Sequence, residues 1–252
     1  MQPTLNIAMR AARAAAEKMK YTYQQIPALL DEGYSLEKIF TEAMEGAAAR
    51  VVKNLWAAHP THNIIFKQLG EHPAKNPEKS HKWYVNLLDG DLNFQTGYPA
   101  ATVCVAHAFR DKFEQIAIIN IFNDEEFGCV RGRGMTRNEQ RMRVTNVRRL
   151  DGISCGVHGF DTDPSWVSCC GTHNVSQRII GSSLLTLSYF CCGFTDACMV
   201  NGLSEHDMSI AALLLQESGA IAGDRKGKPL FANSAEIIAA NPKLFKVLLQ
   251  AL

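Results

Sequence analysis

From about Leu150 to the C-terminus, short apolar runs alternate with stretches of helical period: a strand at ISCGV, a helix near 176–192, a strand at 196–200, a helix over 207–217 and a last strand over 236–239. Such alternation confines this half to an α/β lobe, in which helices cover a sheet. The first half reads differently. Residues 3–19 and 35–58 have helical spacing, the second through Leu36, Ile39, Phe40, Ala43, Ala47, Val51 and Leu55, while the stretch 21–34 is open between helix and loop. Strands are expected at 63–66, 83–88, 101–109 and 115–122, with GEHPAKNPEKSHK as an exposed loop and turns at 123–126 and in EFGCVRGRG. The expected organisation is an N-terminal α+β lobe, 1–148, and a C-terminal α/β lobe, 149–252, with no internal repeat or low-complexity segment.

With 252 residues and 46% apolar composition, the chain can bury a sizeable core. Its 26 basic and 25 acidic residues nearly cancel, so any preference for nucleic acid or membrane must come from a local patch. The opening MQPTLNIAMRAARAAAEKM is amphipathic and lacks the continuous apolar stretch of a signal peptide. No run approaches the roughly 18 to 20 apolar residues needed to span a bilayer, so a cytoplasmic location without membrane partners is expected. The eight cysteines include two adjacent pairs and no C-x-x-C knuckle, which favours reduced, buried thiols over a zinc site or disulfides.

The stretch NLLDGDLNF, residues 86–94, carries the clearest chemical signal. A strand runs into Asp89-Gly90-Asp91, as if toward a cation, and Asn86 stands where a second carboxylate would complete the cluster. Taken alone, Asp-Gly-Asp is more often a solvated turn than a metal site, because aspartate and glycine are good turn formers. His206-Asp207 likewise fits a helix start, where free amides and the dipole favour a carboxylate.

Over nearly its whole length the chain resembles the inositol monophosphatase family, and in particular its bacterial extragenic-suppressor branch. The likeness is carried by MQPTLNIAMRAARAA, IIFKQLGE, NLLDGDLNF, RIIGSSLLTLSYFCCGFTDA, GLSEHDMSIAALLLQESGAI and AANPKL. It implies the layered α-β-α-β-α sandwich shared with fructose bisphosphatase. It also implies a Mg²⁺-dependent phosphomonoesterase, whose carboxylates hold metal ions that clamp the phosphate and activate water. By that likeness Asp89, Asp207 and the backbone carbonyl of Leu88 are metal ligands, and Gly90 and Asp91 face the substrate.

Several matching positions depart from the family pattern. Asn86 and Lys67 replace ligating carboxylates, and Gln68 replaces a second glutamate. Asp91 occupies the position of the threonine that orients the attacking water, Met44 that of its aspartate partner, and Val200 that of a glutamate touching inositol hydroxyls. An amide can still offer one oxygen to a metal, but an ammonium offers none and repels the cation. Lys67 is therefore expected to offset Asp89 and Asp207 in place of the metal, with Mg²⁺ binding weak or absent. The competing expectation is a rearranged site in which Asp91, or Glu71, restores a carboxylate beside Asp89 and Asp207.

Ser182 and Ser183 of GSS lack the surroundings of a nucleophile elbow, and Cys155 with His158 has no further support as a thiol and base. Arg131, Arg133, Arg137, Arg141, Arg143, Arg148 and Arg149 cluster against Glu139 alone. Arg131, Arg133, Arg141 and Arg143 are candidate phosphate or RNA contacts, although no aromatic side chain is interleaved to stack on bases. The resemblance implies a homodimer, with Arg178 kept and Ile179 in place of a second arginine. It further implies a role with the transcription machinery in antitermination and ribosomal RNA processing. Two functions follow: a weakened or inactive scaffold, or a Mg²⁺-dependent inositol or sugar phosphate phosphatase.

Overall fold

The computed structural model describes residues 3–160 and 162–252, so Met1 and Gln2 of the amphipathic opening lie outside it. By compactness the chain divides into a unit ending at Gly128 and a unit beginning at Cys129. Residues 143–150, around the expected lobe boundary, form an extended connection without regular structure. No helix of the described residues is long and apolar enough to cross a membrane.

The first unit opens with α1 (Pro3–Asp31) and α2 (Leu36–Ala58). The open stretch 21–34 is thus mostly helix: α1 continues through Pro27 and stops where Gly33 adopts φ 88°. The amides of Gly33 and Tyr34 then return to Leu30 and Leu29, a glycine-terminated helix end. Leu5, Ala8, Ala12, Ala15 and Met19 make a buried stripe at helical spacing. Its small side chains let α1 pack closely on α2, which buries Ala43, Ala47 and Val51. Ser35 caps α2 by accepting from Lys38 N.

Next come β1 (Asn63–Phe66), β2 (Gly70–His72), β3 (His81–Asp89), α3 (Asp91–Thr96), β4 (Thr102–Phe109) and β5 (Lys112–Asn120). The expected loop therefore contains one short, fully exposed strand, β2, paired antiparallel with β1. β1 runs parallel to β3, and β3, β4 and β5 follow in antiparallel order. A register shift between Asn86 and Asp89 interrupts the β3–β4 ladder where the NLLDGDLNF motif lies. β6 (Glu126–Val130) runs across the division between the units.

The second unit begins with the hairpin of β7 (Gly134–Arg137) and β8 (Gln140–Met142). It continues through β9 (Ser154–His158), α4 (Pro164–His173), β10 (Ser176–Ile179), α5 (Ser183–Cys191), β11 (Ala197–Asn201), α6 (Glu205–Ser218), β12 (Ile221–Gly223), β13 (Glu236–Ala240) and α7 (Pro242–Ala251). Its sheet has the order β10-β9-β11-β13-β12, with β10, β9 and β11 parallel. Cys155, Val157, Ala197, Met199 and Ile238 meet Trp166 of α4 and Leu244 and Leu248 of α7 on one face. Gly156, which points the other way, lies against Thr186 of α5. Helices thus cover both faces, as the alternation in sequence requires.

The expected helix over 176–192 is a strand followed by a helix. Gly181 turns at φ 73° and Ser182 caps α5, so the helical period begins only at Ser183. Two flanking helices were also not anticipated. Asp163 and Asn241 cap α4 and α7, each with a proline next in line, which is a strong local start signal in a short segment. Seven cysteines are buried and Cys170 is half-buried, in keeping with thiols that pack as small apolar groups.

Candidate functional site

The NLLDGDLNF motif is a strand delivered into a helix through one left-handed residue. β3 ends at Asp89, Gly90 turns at φ 89° and ψ 47°, and α3 starts at Asp91. A side chain at Gly90 would strain that turn. Phe94 fixes α3 from below through edge contacts with Tyr23 and Phe40 at 5.7 Å each. At its far end, Gly97 has φ 75°, and a Cβ there would lie 2.0 Å from the Tyr23 hydroxyl. Asp89 is buried at 9% exposure, whereas Asp91 is exposed on the first helical turn, where the free amides favour a carboxylate.

Lys67 and Gln68 occupy the turn between β1 and β2, with Lys67 exposed and its amide bonded to Val85 O at 2.8 Å. Gln68 reaches across to β3. Its Nε2 donates to Asn86 Oδ1 at 2.8 Å and to Leu88 O at 3.0 Å, while its Oε1 accepts from Leu87 N at 3.0 Å. Asn86 Oδ1 also accepts from Leu88 N at 3.3 Å. Two oxygens that the resemblance would turn toward a cation therefore meet on one amide nitrogen of the chain. Glu71, the other acidic residue nearby in sequence, lies exposed on β2 and accepts from Asn63 Nδ2 at 3.1 Å.

In the second unit, Asp207 is buried at 2% exposure in the first turn of α6. Ser204 caps that helix reciprocally: its hydroxyl accepts from Asp207 N at 3.1 Å and donates to Asp207 Oδ2 at 2.9 Å. Aspartate thus stands in the N3 position of a capping-box spacing, but its carboxylate meets the cap's hydroxyl, so it already takes part in the helix end. Val200 is buried in β11. Ser182 acts as the cap of α5. Cys155 is fully buried, and burial pushes its thiol well above the usual range. Residues three apart on a strand point to opposite faces, so His158 is not aimed at that thiol.

Around the arginines, Glu217 of α6 accepts from Gly132 N at 2.8 Å and Gly134 N at 2.9 Å, clamping the turn that leads into β7. Arg133, Arg141 and Arg143 are exposed on and beyond that turn, and Arg131 is half-buried. The fold supplies the aromatic group that the local sequence lacks. Phe194, 48% exposed, lies 4.9 Å from the Arg137 guanidinium. The Arg178-Ile179 segment forms β10, and Ile179 is exposed.

One further group of chemistry-bearing side chains was not anticipated at all. His62, His81 and His107 each bring a ring nitrogen within 4.8 Å of the others. They are 19 and 26 residues apart and fit no ligand spacing. Only the β3–β4 register, with Trp83 opposite His107, reveals them as neighbours.

This alternation of mixed sheets and helices, with a strand–Asp-Gly-Asp–helix motif and a capped aspartate opening α6, defines a layered α+β fold. The chain belongs to the inositol monophosphatase family, which it matches over residues 1–252. Among curated relatives, Nus factor SuhB of Pseudomonas aeruginosa is 32% identical, with 99% of this chain and 95% of the relative covered. Nus factor SuhB of Escherichia coli strain K12 is 28% identical over the same shares. The fold is that of the extragenic suppressor protein suhB from Bartonella henselae, with TM-score 0.84, 23% identity and coverage of 99% and 98%. Inositol monophosphatase from Anabaena shares it at TM-score 0.78, 24% identity and coverage of 98% and 94%.

Proposed function

We propose that this chain is a catalytically inactive or severely weakened inositol monophosphatase family member that acts in the cytoplasm as a regulatory or binding scaffold. The observation that carries the proposal is the Gln68 amide on Asn86 Oδ1 and Leu88 O. Mg²⁺ requires several oxygen ligands in near-octahedral order, and a hydrogen-bond donor on two of them opposes that requirement. The ammonium of Lys67 on the same turn adds unfavourable charge, and Asp207 already serves its helix cap. The residues present do not fit the family's metal.

The scaffold role is that of a partner of the transcription machinery or ribosomal RNA, through the exposed arginines and Phe194, in a homodimer. The names of the curated relatives, Nus factors, support this direction. A phosphorylated small molecule bound without cleavage is compatible with it. The second reading is a Mg²⁺-dependent inositol or sugar phosphate phosphatase. It is favoured by the carboxylates on either side of Gly90, Asp89 and Asp91, together with buried Asp207.

The decisive experiment is hydrolysis of inositol 1-phosphate across a Mg²⁺ titration, with the double variant Lys67→Glu, Asn86→Asp beside the native protein. Silence of the native protein at every concentration is expected. Turnover of roughly 1 s⁻¹ or more, abolished by Asp89→Asn and Asp207→Asn, would establish the second reading instead.

A further inference from the structure

We propose that His62, His81 and His107 form a binding site for one borderline divalent transition-metal ion of the Zn²⁺ class, separate from the carboxylate motif. His62 immediately precedes β1, His81 opens β3, and His107 lies on β4, so two of the three ligands stand on paired strands and the third on the residue leading into a strand beside them. His81 Nδ1 and His107 Nε2 are 3.0 Å apart. The His62 ring lies parallel to His81 at 4.7 Å and is 5.7 Å from His107. A tetrahedral ion with bonds of about 2.0–2.1 Å sets ligand nitrogens about 3.3 Å apart, close to the His81–His107 separation. The ligand atom of His62 lies within 4.8 Å of the other two, and its in-plane lone pair meets a shared ion once the ring turns out of its parallel stack on His81.

Three further observations fit a metal rather than simple ring stacking. First, His62 is buried at 6% exposure, and its Nδ1 has no hydrogen-bond partner among the described residues. A buried unpaired ring nitrogen is unfavourable unless something with a vacant orbital or a proton meets it. Second, His107 is buried as well, at 5% exposure, so two of the three rings hold their nitrogens away from bulk water. Third, Gln115 Oε1 lies 2.8 Å from His107 Nδ1. A carbonyl there places the proton on Nδ1 and leaves the Nε2 lone pair inward, the outer support that metal-bound histidines usually have.

Ligation by three neutral imidazoles requires the His107 proton on Nδ1, against Gln115 Oε1, and the His81 proton on Nε2, the nitrogen that lies 3.7 Å from the Glu78 carboxylate, with water at the exposed edge of His81 to relay any change of tautomer. His81 keeps 28% of its side chain exposed, which leaves an entry path and an open fourth position for water. Three imidazoles select Zn²⁺, Co²⁺, Ni²⁺ or Cu²⁺ over Mg²⁺ and Ca²⁺, which prefer oxygen.

The test uses the tag-free, chelator-treated full chain titrated with Co²⁺, followed by displacement with Zn²⁺. The visible bands of tetrahedral Co²⁺ are expected to saturate at one equivalent. Cu²⁺ is expected to quench Trp83, whose ring is 4.8 Å from that of His107. His81→Gln, at the solvent edge, and His107→Gln should each weaken Co²⁺ binding at least tenfold while the ion-free variants keep the native circular dichroism. Asp207→Asn should leave binding unchanged. Absence of the bands in the native protein, or their survival in His81→Gln, overturns the proposal, the latter by assigning the ion to another site.

Discussion

Gln68 Nε2 lies 2.8 Å from Asn86 Oδ1, joining the turn after β1 to the irregular end of β3. Loss of this side chain leaves Asn86 Oδ1 with only the longer 3.3 Å bond from Leu88 N among those described above, and takes from Leu87 N, in a fully buried residue, the Gln68 Oε1 acceptor. Gln68→Ala should therefore cost about 2 kcal/mol, the desolvation penalty of an unmet buried group. In a chain of this size that corresponds to a fall of about 4–8 °C in Tm. Gln68→Glu should be at least as damaging, because a carboxylate cannot donate to Asn86 or Leu88. An unchanged Tm in Gln68→Ala would show that the amide contributes nothing to the strand end.

Ser204 and Asp207 form the second local device. Ser204→Ala removes the cap and leaves Asp207 Oδ2 without its hydroxyl donor. A loss of about 1–2 kcal/mol is expected from chemical denaturation, at the upper end for a cap because the carboxylate is buried. Asp207→Asn retains an oxygen acceptor and should cost less than Ser204→Ala.

Asp163 supplies the pH dependence. The Arg225 guanidinium beside it, with Trp166 N and the Ser165 hydroxyl, holds its carboxyl well below the usual carboxylate range. A carboxyl depressed on folding contributes stability above its unfolded value of about 3.9, and that contribution fades as pH falls through the folded value. Tm measured from pH 7 downward should show the native protein and Asp163→Asn separated by a constant gap to about pH 4. Below that, the gap should narrow. A gap that stays constant into stronger acid would mean that the ion pair is not linked to folding.

For the arginine-rich turn, the triple variant Arg133→Ala, Arg141→Ala, Arg143→Ala should keep its Tm within about 0.5 kcal/mol equivalent, since all three side chains are exposed. Its affinity for a single-stranded RNA oligomer, read by fluorescence anisotropy, should fall, and the slope of log K against log salt should shrink by about 2. Equal affinity and slope in both proteins would remove RNA from the proposed partners.

The sequence displays the parts of this fold that rest on periodicity. α2 with its Ser35 cap, the alternation after Leu150 and the strand entering Asp89-Gly90-Asp91 are all visible in one chain. It misplaces elements where a local signal is outweighed. The expected helix over 176–192 is interrupted by Gly181 and the Ser182 cap, whereas 21–34, open in sequence, continues α1 through Pro27 with Ile26 buried. The reciprocal bonds of Gln68 and the histidine group depend on register between strands, and no spacing along the chain encodes register. Gln68 itself was legible as a replaced carboxylate; its work as a donor to β3 was not.

The brace on β3 is a neutral amide tethered by its own peptide bonds, so its local concentration at Asn86 never falls. A bound ion would leave and return with the ionic composition of its surroundings. The end of β3 leading into the Asp89–Asp91 corner is thereby held by a group that can be lost only by mutation or unfolding, never by dilution.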